Sequence, residues 1–179
     1  MTNVKARFLA LVVVGVVLGA GLVNAGPAPG KVAEARRAYQ QHASQVKNTR
    51  YLALIDYSKP IFATRLWVID LTTGKPVLSA HVAHAFKSGL IYASRFSNVN
   101  GSRLSCAGSF LTQSDYVGRF GLAMRVTGLD PGNDQASARA IVFHPTRTPY
   151  TWGCFATTAS TNAKLIALLK GGAFVYVAQ

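Results

Sequence analysis

From Tyr51 onward the apolar residues come in short, β-rich runs closed by Gly, Pro, Ser or Asn, and helical spacing is confined to the two ends of the chain. Tyr51-Leu52-Ala53-Leu54-Ile55-Asp56-Tyr57 ends in Ser58-Lys59-Pro60. The run from Arg65 to Leu71 is followed by Thr72-Thr73-Gly74-Lys75-Pro76, after which Val77 to Ala83 resumes an extended pattern. This predicts a hairpin with glycine supplying the turn. Further strands are expected at Ser109 to Thr112, Leu122 to Thr127, Ala140 to Phe143 and Ala173 to Val177. Lys87 to Gly101, rich in Ser, Asn and Gly, reads as a loop long enough to be functional. Gly128 to Asp134 is a second turn-rich segment. Near the start, Val32, Ala35, Tyr39, Ala43 and Val46 recur at three- and four-residue steps, which predicts a helix from Lys31 to Lys47 lying as an arm on the domain. Near the end, Leu165, Ile166, Leu168 and Leu169 form the apolar face of a helix from Asn162 to Lys170, stopped by Gly171-Gly172. The expected fold is mainly β with flanking helices.

The first residues bear on the compartment. Lys5 and Arg7 precede an uncharged apolar run from Phe8 to Val23, and Val23-Asn24-Ala25 offers small or apolar residues where a signal peptidase reads. Residues 1–25 are expected to be a signal peptide cut after Ala25, with an uncleaved anchor as the alternative. That leaves 26–50 as linker and helical arm and 51–179 as the functional domain. The leader carries two of the 19 basic residues and none of the six acids, so the remainder holds 17 against six, a formal charge of +11. Such a charge attracts anionic surfaces. The basic residues are scattered, with Arg36-Arg37 the one adjacent pair, and no aromatic ladder accompanies them. Nucleic acid is therefore not the expected partner. A periplasmic, secreted or cell-envelope monomer is expected, touching membrane only through its N-terminal segment if that stays uncleaved.

The chain has two cysteines, Cys106 and Cys154. Cys154 follows Gly153 at the end of the turn Tyr150-Thr151-Trp152, ten positions after His144, which itself leaves the apolar run Ala140-Ile141-Val142-Phe143. A sulfur on a tight turn with an imidazole able to take its proton is what a thiol nucleophile needs. A Cys106–Cys154 bridge, which an oxidising compartment favours, and a small buried hydrophobe are the other readings of the same residue.

Several segments in order resemble the murein L,D-transpeptidase catalytic domain family of YkuD-like cysteine transpeptidases. They are Ile55-Asp56-Tyr57-Ser58-Lys59-Pro60, Arg65 to Leu71, Val82-Ala83-His84, Lys87-Ser88-Gly89, Phe96-Ser97-Asn98 and Gly108-Ser109-Phe110. Tyr116-Val117-Gly118, Gly121-Leu122, Thr127 to Asn133, Ala138 to His144 and Trp152-Gly153-Cys154 follow. The resemblance spans roughly residues 51–177 and implies a β-sandwich with the cysteine on a loop beside the sheet. It implies a peptidoglycan-remodelling acyltransferase that cuts the L,D bond of tetrapeptide stems through a cysteine thioester. In that scheme Cys154 is the nucleophile and His144 the general base, then acid. Gly153, Thr151 and Trp152 support the turn and the oxyanion. His84, Ser88 and Arg139 are candidates for the substrate groove, with Arg125 a further cation able to meet a carboxylate. His42 and His81 read as surface or structural residues, and neither a metal nor a cofactor is implied. Asp56, Asp70, Asp130 or a backbone carbonyl would orient His144.

The chain departs from the family pattern beside the proposed chemistry. Ala85 replaces a glycine after the first histidine, and Pro145 follows His144 where a small residue is usual. Pro149-Tyr150-Thr151 stands where Gly-Arg-Ser is usual, and Phe155 follows the cysteine in place of proline. These departures leave two alternatives beside the transpeptidase: an L,D-carboxypeptidase, and a catalytically silent envelope-binding module on the same fold.

Overall fold

The computed structural model describes residues 26–179, so the leader expected over 1–25 lies outside the described residues. Helix α1 (Pro29–His42) begins with proline in its first turn, where a missing N–H costs nothing. Strands β1 (Asn48–Asp56), β2 (Leu66–Asp70) and β3 (Pro76–Ala80) follow as a meander, then the short β4 (His84–Ala85). A long loop leads to the hairpin of β5 (Gly108–Gly118) and β6 (Gly121–Gly128), then to β7 (Val142–Pro145), β8 (Tyr150–Thr151) and β9 (Phe155–Thr157). Helix α2 (Ala159–Leu169) and strand β10 (Ala173–Ala178) complete the chain. The mainly β fold with flanking helices is the one the resemblance implies.

Eight strands form one sheet in the order β3-β2-β1-β10-β5-β6-β7-β9, and β4 pairs with β8 in a second, two-stranded sheet. The last strand joins the halves: β10 runs parallel to β1 and antiparallel to β5. The sheet folds over its core, because Ala83 N–H, just beyond β3, donates to Ala156 O of β9 at 2.7 Å.

β1 shows why its sequence is a continuous apolar run rather than an alternating one. Leu52 and Leu54 pack with Trp67, Ile69, Phe174 and Ala35 of α1. Ala53 and Ile55 pack on the other face with Val175 and with Leu165, Ile166 and Leu169 of α2. A sheet covered by a helix on each face has no solvent side for polar residues to occupy. The first cluster draws residues from 32 to 178 and the second from 51 to 177, so α1 and β10 both pack into the core.

The ends of α2 are fixed by side chains. Thr158 Oγ1 accepts from Thr161 N–H at the N-cap. Thr112 Oγ1 donates to Leu169 O and accepts from Ala173 N–H at 2.8 Å, so one hydroxyl joins the helix end to the start of β10. Two local expectations change. β5 continues six residues past Thr112, through an exposed polar stretch with a register shift between Thr112 and Asp115. The strand expected from Ala140 begins only at Val142, because Ala140 sits at φ +52°. Among the described residues no helix is long and apolar enough to cross a membrane.

Candidate active site

His144 lies on β7 and Cys154 immediately precedes β9, the edge strand that pairs parallel with β7. The register sets His144 opposite Ala156. Cys154 lies one residue before the paired segment, which begins with Phe155 opposite Phe143. The sheet thus brings the two residues to one edge.

His144 is almost fully buried, with 7% of its surface exposed. Its Nδ1 lies 2.9 Å from the carbonyl oxygen of Pro145. A carbonyl only accepts, so Nδ1 carries a proton and points away from Nε2, the other ring nitrogen. Phe120, from the β5–β6 turn, stacks on the imidazole with centroids 4.7 Å apart. The orienting group is therefore a backbone carbonyl. Asp56 accepts from Ser58, Asp70 accepts from the Thr72 and Thr73 amides and Arg50, and Asp130 accepts from Ser109 N–H and faces His42.

Cys154 is free and partly exposed, and Cys106 is free and buried, so the bridge left open by the sequence is not formed. The Cys154 thiol donates to Ala140 O at 3.5 Å rather than to His144. Burial pushes its pKa up, and the Val142 amide and the Arg139 guanidinium offset this only in part. Burial thus favours the thiol form of Cys154 over the thiolate. Burial likewise raises Cys106, with Arg139 again the main opposing charge.

The turn before Cys154 is held by Thr151, whose hydroxyl accepts from Gly153 N–H at 3.1 Å and donates to Cys154 O at 2.9 Å. The Gly153 amide is thus engaged within the turn. Gly153 is required for packing. At φ +129° an added Cβ would lie 2.7 Å from Ile141 Cδ1, 3.1 Å from Leu104 O and 3.3 Å from Arg139 Nη2. Trp152 points outward, 71% exposed, with the Arg103 guanidinium 4.5 Å above its ring. Phe155 turns the other way. It is fully buried against Phe110 and Phe143, so this departure from the family pattern serves the core.

The three groove candidates act as braces. His84 is fully buried, and Nε2–H donates to Gly89 O at 2.7 Å while Nδ1 accepts from Arg65 Nη2 at 2.9 Å. Ser88 is also fully buried, its hydroxyl accepting from Ser105 N–H at 2.9 Å. Both side chains are buried and bonded within the domain. Arg139 donates to the carbonyls of Ser97 and Leu104, tying that loop to the turn at Gly153. Arg125 is exposed and lies 4.0 Å above the Tyr116 ring. His81 is exposed, away from the buried His84, and among the described residues no group of three or more His, Cys, Asp or Glu gathers to hold a metal.

Arg65 was not singled out by sequence. It is fully buried, donating to Val82 O and Lys59 O as well as facing His84, and its guanidinium lies 4.9 Å from the Tyr57 ring centre. An arginine in a β-rich run ordinarily faces solvent, so residue type gave no signal.

Fold and site define a β-sheet domain with a thiol and an imidazole brought to one sheet edge. The chain belongs to the L,D-transpeptidase catalytic domain family, whose sequence model matches residues 26–178. No curated protein is similar to it. Among solved structures it is similar to the helical cell shape determining protein of Campylobacter jejuni, with 13% identity and TM-score 0.51, covering 84% of this chain and 56% of that one. It is also similar to an L,D-transpeptidase of Stackebrandtia nassauensis, with 14% identity and TM-score 0.45, covering 80% and 63%. An L,D-transpeptidase of Mycobacterium smegmatis is matched at 11% identity and TM-score 0.46, covering 73% and 59%. The chain thus spans about six tenths of the length of these solved structures.

Proposed function

We propose that this protein is a cysteine acyltransferase of the L,D-transpeptidase type, acting on peptidoglycan stem peptides in the cell envelope. The observation that supports the reading is that Cys154 lies one residue before β9, the strand paired with the β7 that carries His144, whose Nδ1 faces the Pro145 carbonyl and leaves Nε2 without that partner. Family membership supplies the substrate class.

In this reading the Cys154 side chain rotates from the Ala140 carbonyl toward His144 as substrate enters. Nε2 takes the thiol proton while sulfur attacks the carbonyl of the stem's L,D bond. The Cys154 amide serves the oxyanion, since Gly153 N–H is held by Thr151. The tetrahedral adduct collapses to a thioester as the C–N bond breaks, and the imidazolium protonates the departing D-alanine amine. An amine of a second stem then attacks the thioester and releases the thiol, which recovers its proton. Water in place of that amine gives the carboxypeptidase outcome.

The test incubates residues 26–179 and the Cys154→Ala variant with tetrapeptide muropeptides and resolves products by mass. Cross-linked or trimmed stems from wild type alone, with a covalent adduct on Cys154, are the expected result. No product, with binding to isolated sacculi intact, overturns the enzyme in favour of the silent wall-binding module.

A further inference from the structure

The loop expected to be functional from its length carries an apolar surface that the proposed chemistry does not use. Phe86, Leu90, Ile91 and Tyr92 are each at least half exposed, and Phe62 of the β1–β2 connection is 69% exposed. They form one patch. Ile61 N–H donates to Ile91 O at 2.8 Å, the Tyr150 hydroxyl donates to Leu90 O at 2.8 Å, and the Phe86 ring meets Tyr150 edge-on at 5.3 Å. The backbone beneath is fixed: Gly89 O accepts from His84, and Ser88 O accepts from the Ser94 and Arg95 amides. Polar atoms are thus satisfied inward, and the apolar side chains are held outward. Contiguous exposed apolar surface of this kind marks an interaction site.

The rim has one sign of charge. Segments 57–64, 86–95 and 146–150 contain Lys59, whose ammonium lies 5.7 Å from the Trp67 ring centre, together with Lys87, Arg95 and Arg147, and no Asp or Glu. The nearest acid, Asp56, is buried and bonded to Ser58.

We infer that this patch docks on the surface of an anionic lipid bilayer, with Phe62, Phe86, Leu90 and Ile91 entering the interface and Lys59, Lys87, Arg95 and Arg147 meeting the headgroups. Apolar side chains ringed by Lys and Arg are the pattern that lies in a membrane interface. A second copy of the chain would set two equally basic rims against each other, which charge repulsion opposes. Held this way, the domain sits beside the membrane whether or not the leader remains attached.

Co-sedimentation of residues 26–179 with vesicles tests it. The domain pellets with phosphatidylglycerol–phosphatidylethanolamine vesicles, stays in solution with phosphatidylcholine alone, and is released by raised salt. Replacing Phe62, Phe86, Leu90 and Ile91 by Ser weakens partitioning by about tenfold or more, and so does Lys87→Glu with Arg95→Glu, which leaves the apolar residues in place. Unchanged circular dichroism shows both variants folded. Absence of wild-type pelleting, or equal pelleting of the charge-reversed variant, overturns the proposal. So does loss of binding to lipid-free sacculi by the Ser variant without loss of vesicle binding, which assigns the patch to the wall.

Discussion

The Nδ1–H of His144 donates to the carbonyl oxygen of the next residue, Pro145, at 2.9 Å. A histidine oriented by its own backbone needs no acidic partner. The bond engages Nδ1 and leaves Nε2 outside it, with Phe120 stacked on the ring.

Replacing His144 by Ala is expected to lower the rate of stem-peptide turnover by about 10²- to 10⁴-fold, the usual contribution of a positioned acid–base. Phe120→Ala, which removes only the stacked cover, is expected to cost far less. Initial rates from muropeptide mass analysis compare the two. Equal losses would mean that Phe120 matters as much as the base.

Gly153→Ala is expected to destabilise the fold by about 1–3 kcal/mol, since a side chain at φ +129° is strained and its Cβ meets Ile141 and Leu104. The shift of Cys154 should reduce activity further. Urea denaturation gives the first effect, and the rate of thioester formation gives the second.

Alkylation of Cys154 by iodoacetamide is expected to rise with pH only above the range of a free thiol, about 8.5, because burial raises its pKa. Arg139→Met removes an opposing cation and moves the rise further up. An alkylation profile matching free cysteine in wild type would contradict the burial of the sulfur.

His84 is held neutral, its pKa lowered first by burial and then by the Arg65 charge, against the Gly89 bond that raises it. A base with a depressed folded pKa binds protons more weakly than the unfolded chain does. Its contribution is full above the ordinary histidine pKa of about 6.5 and is lost as pH falls from there through the folded value. Unfolding midpoints of wild type should therefore drop on acidification below about pH 6.5. A His84→Gln variant is expected to start lower and to show a shallower slope.

Arg65→Met is expected to cost about 2–4 kcal/mol, since it strands the buried carbonyls of Val82 and Lys59 without a donor. Chemical denaturation measures it, and a cost below about 1 kcal/mol would mean that water replaces the guanidinium.

Local pattern was enough to find most of the elements and the two terminal helices, because hydrophobic period depends only on neighbours in sequence. The order of motifs, ending in Trp152-Gly153-Cys154, was enough to point to the family that matches residues 26–178. Sheet order was not legible: β10 lies between β1 and β5 through pairings more than sixty residues apart in sequence, which no local signal encodes. The roles of His84, Ser88 and Arg65 were decided the same way. Each has an ordinary polar side chain, and only the packing around it decides that it is buried. For Cys154 and His144, sequence supplied the residue types and their spacing. The parallel pairing of β7 and β9 decided that their strands lie side by side, and burial decided that the thiol pKa is raised, because the cost of charge depends on what surrounds it in three dimensions.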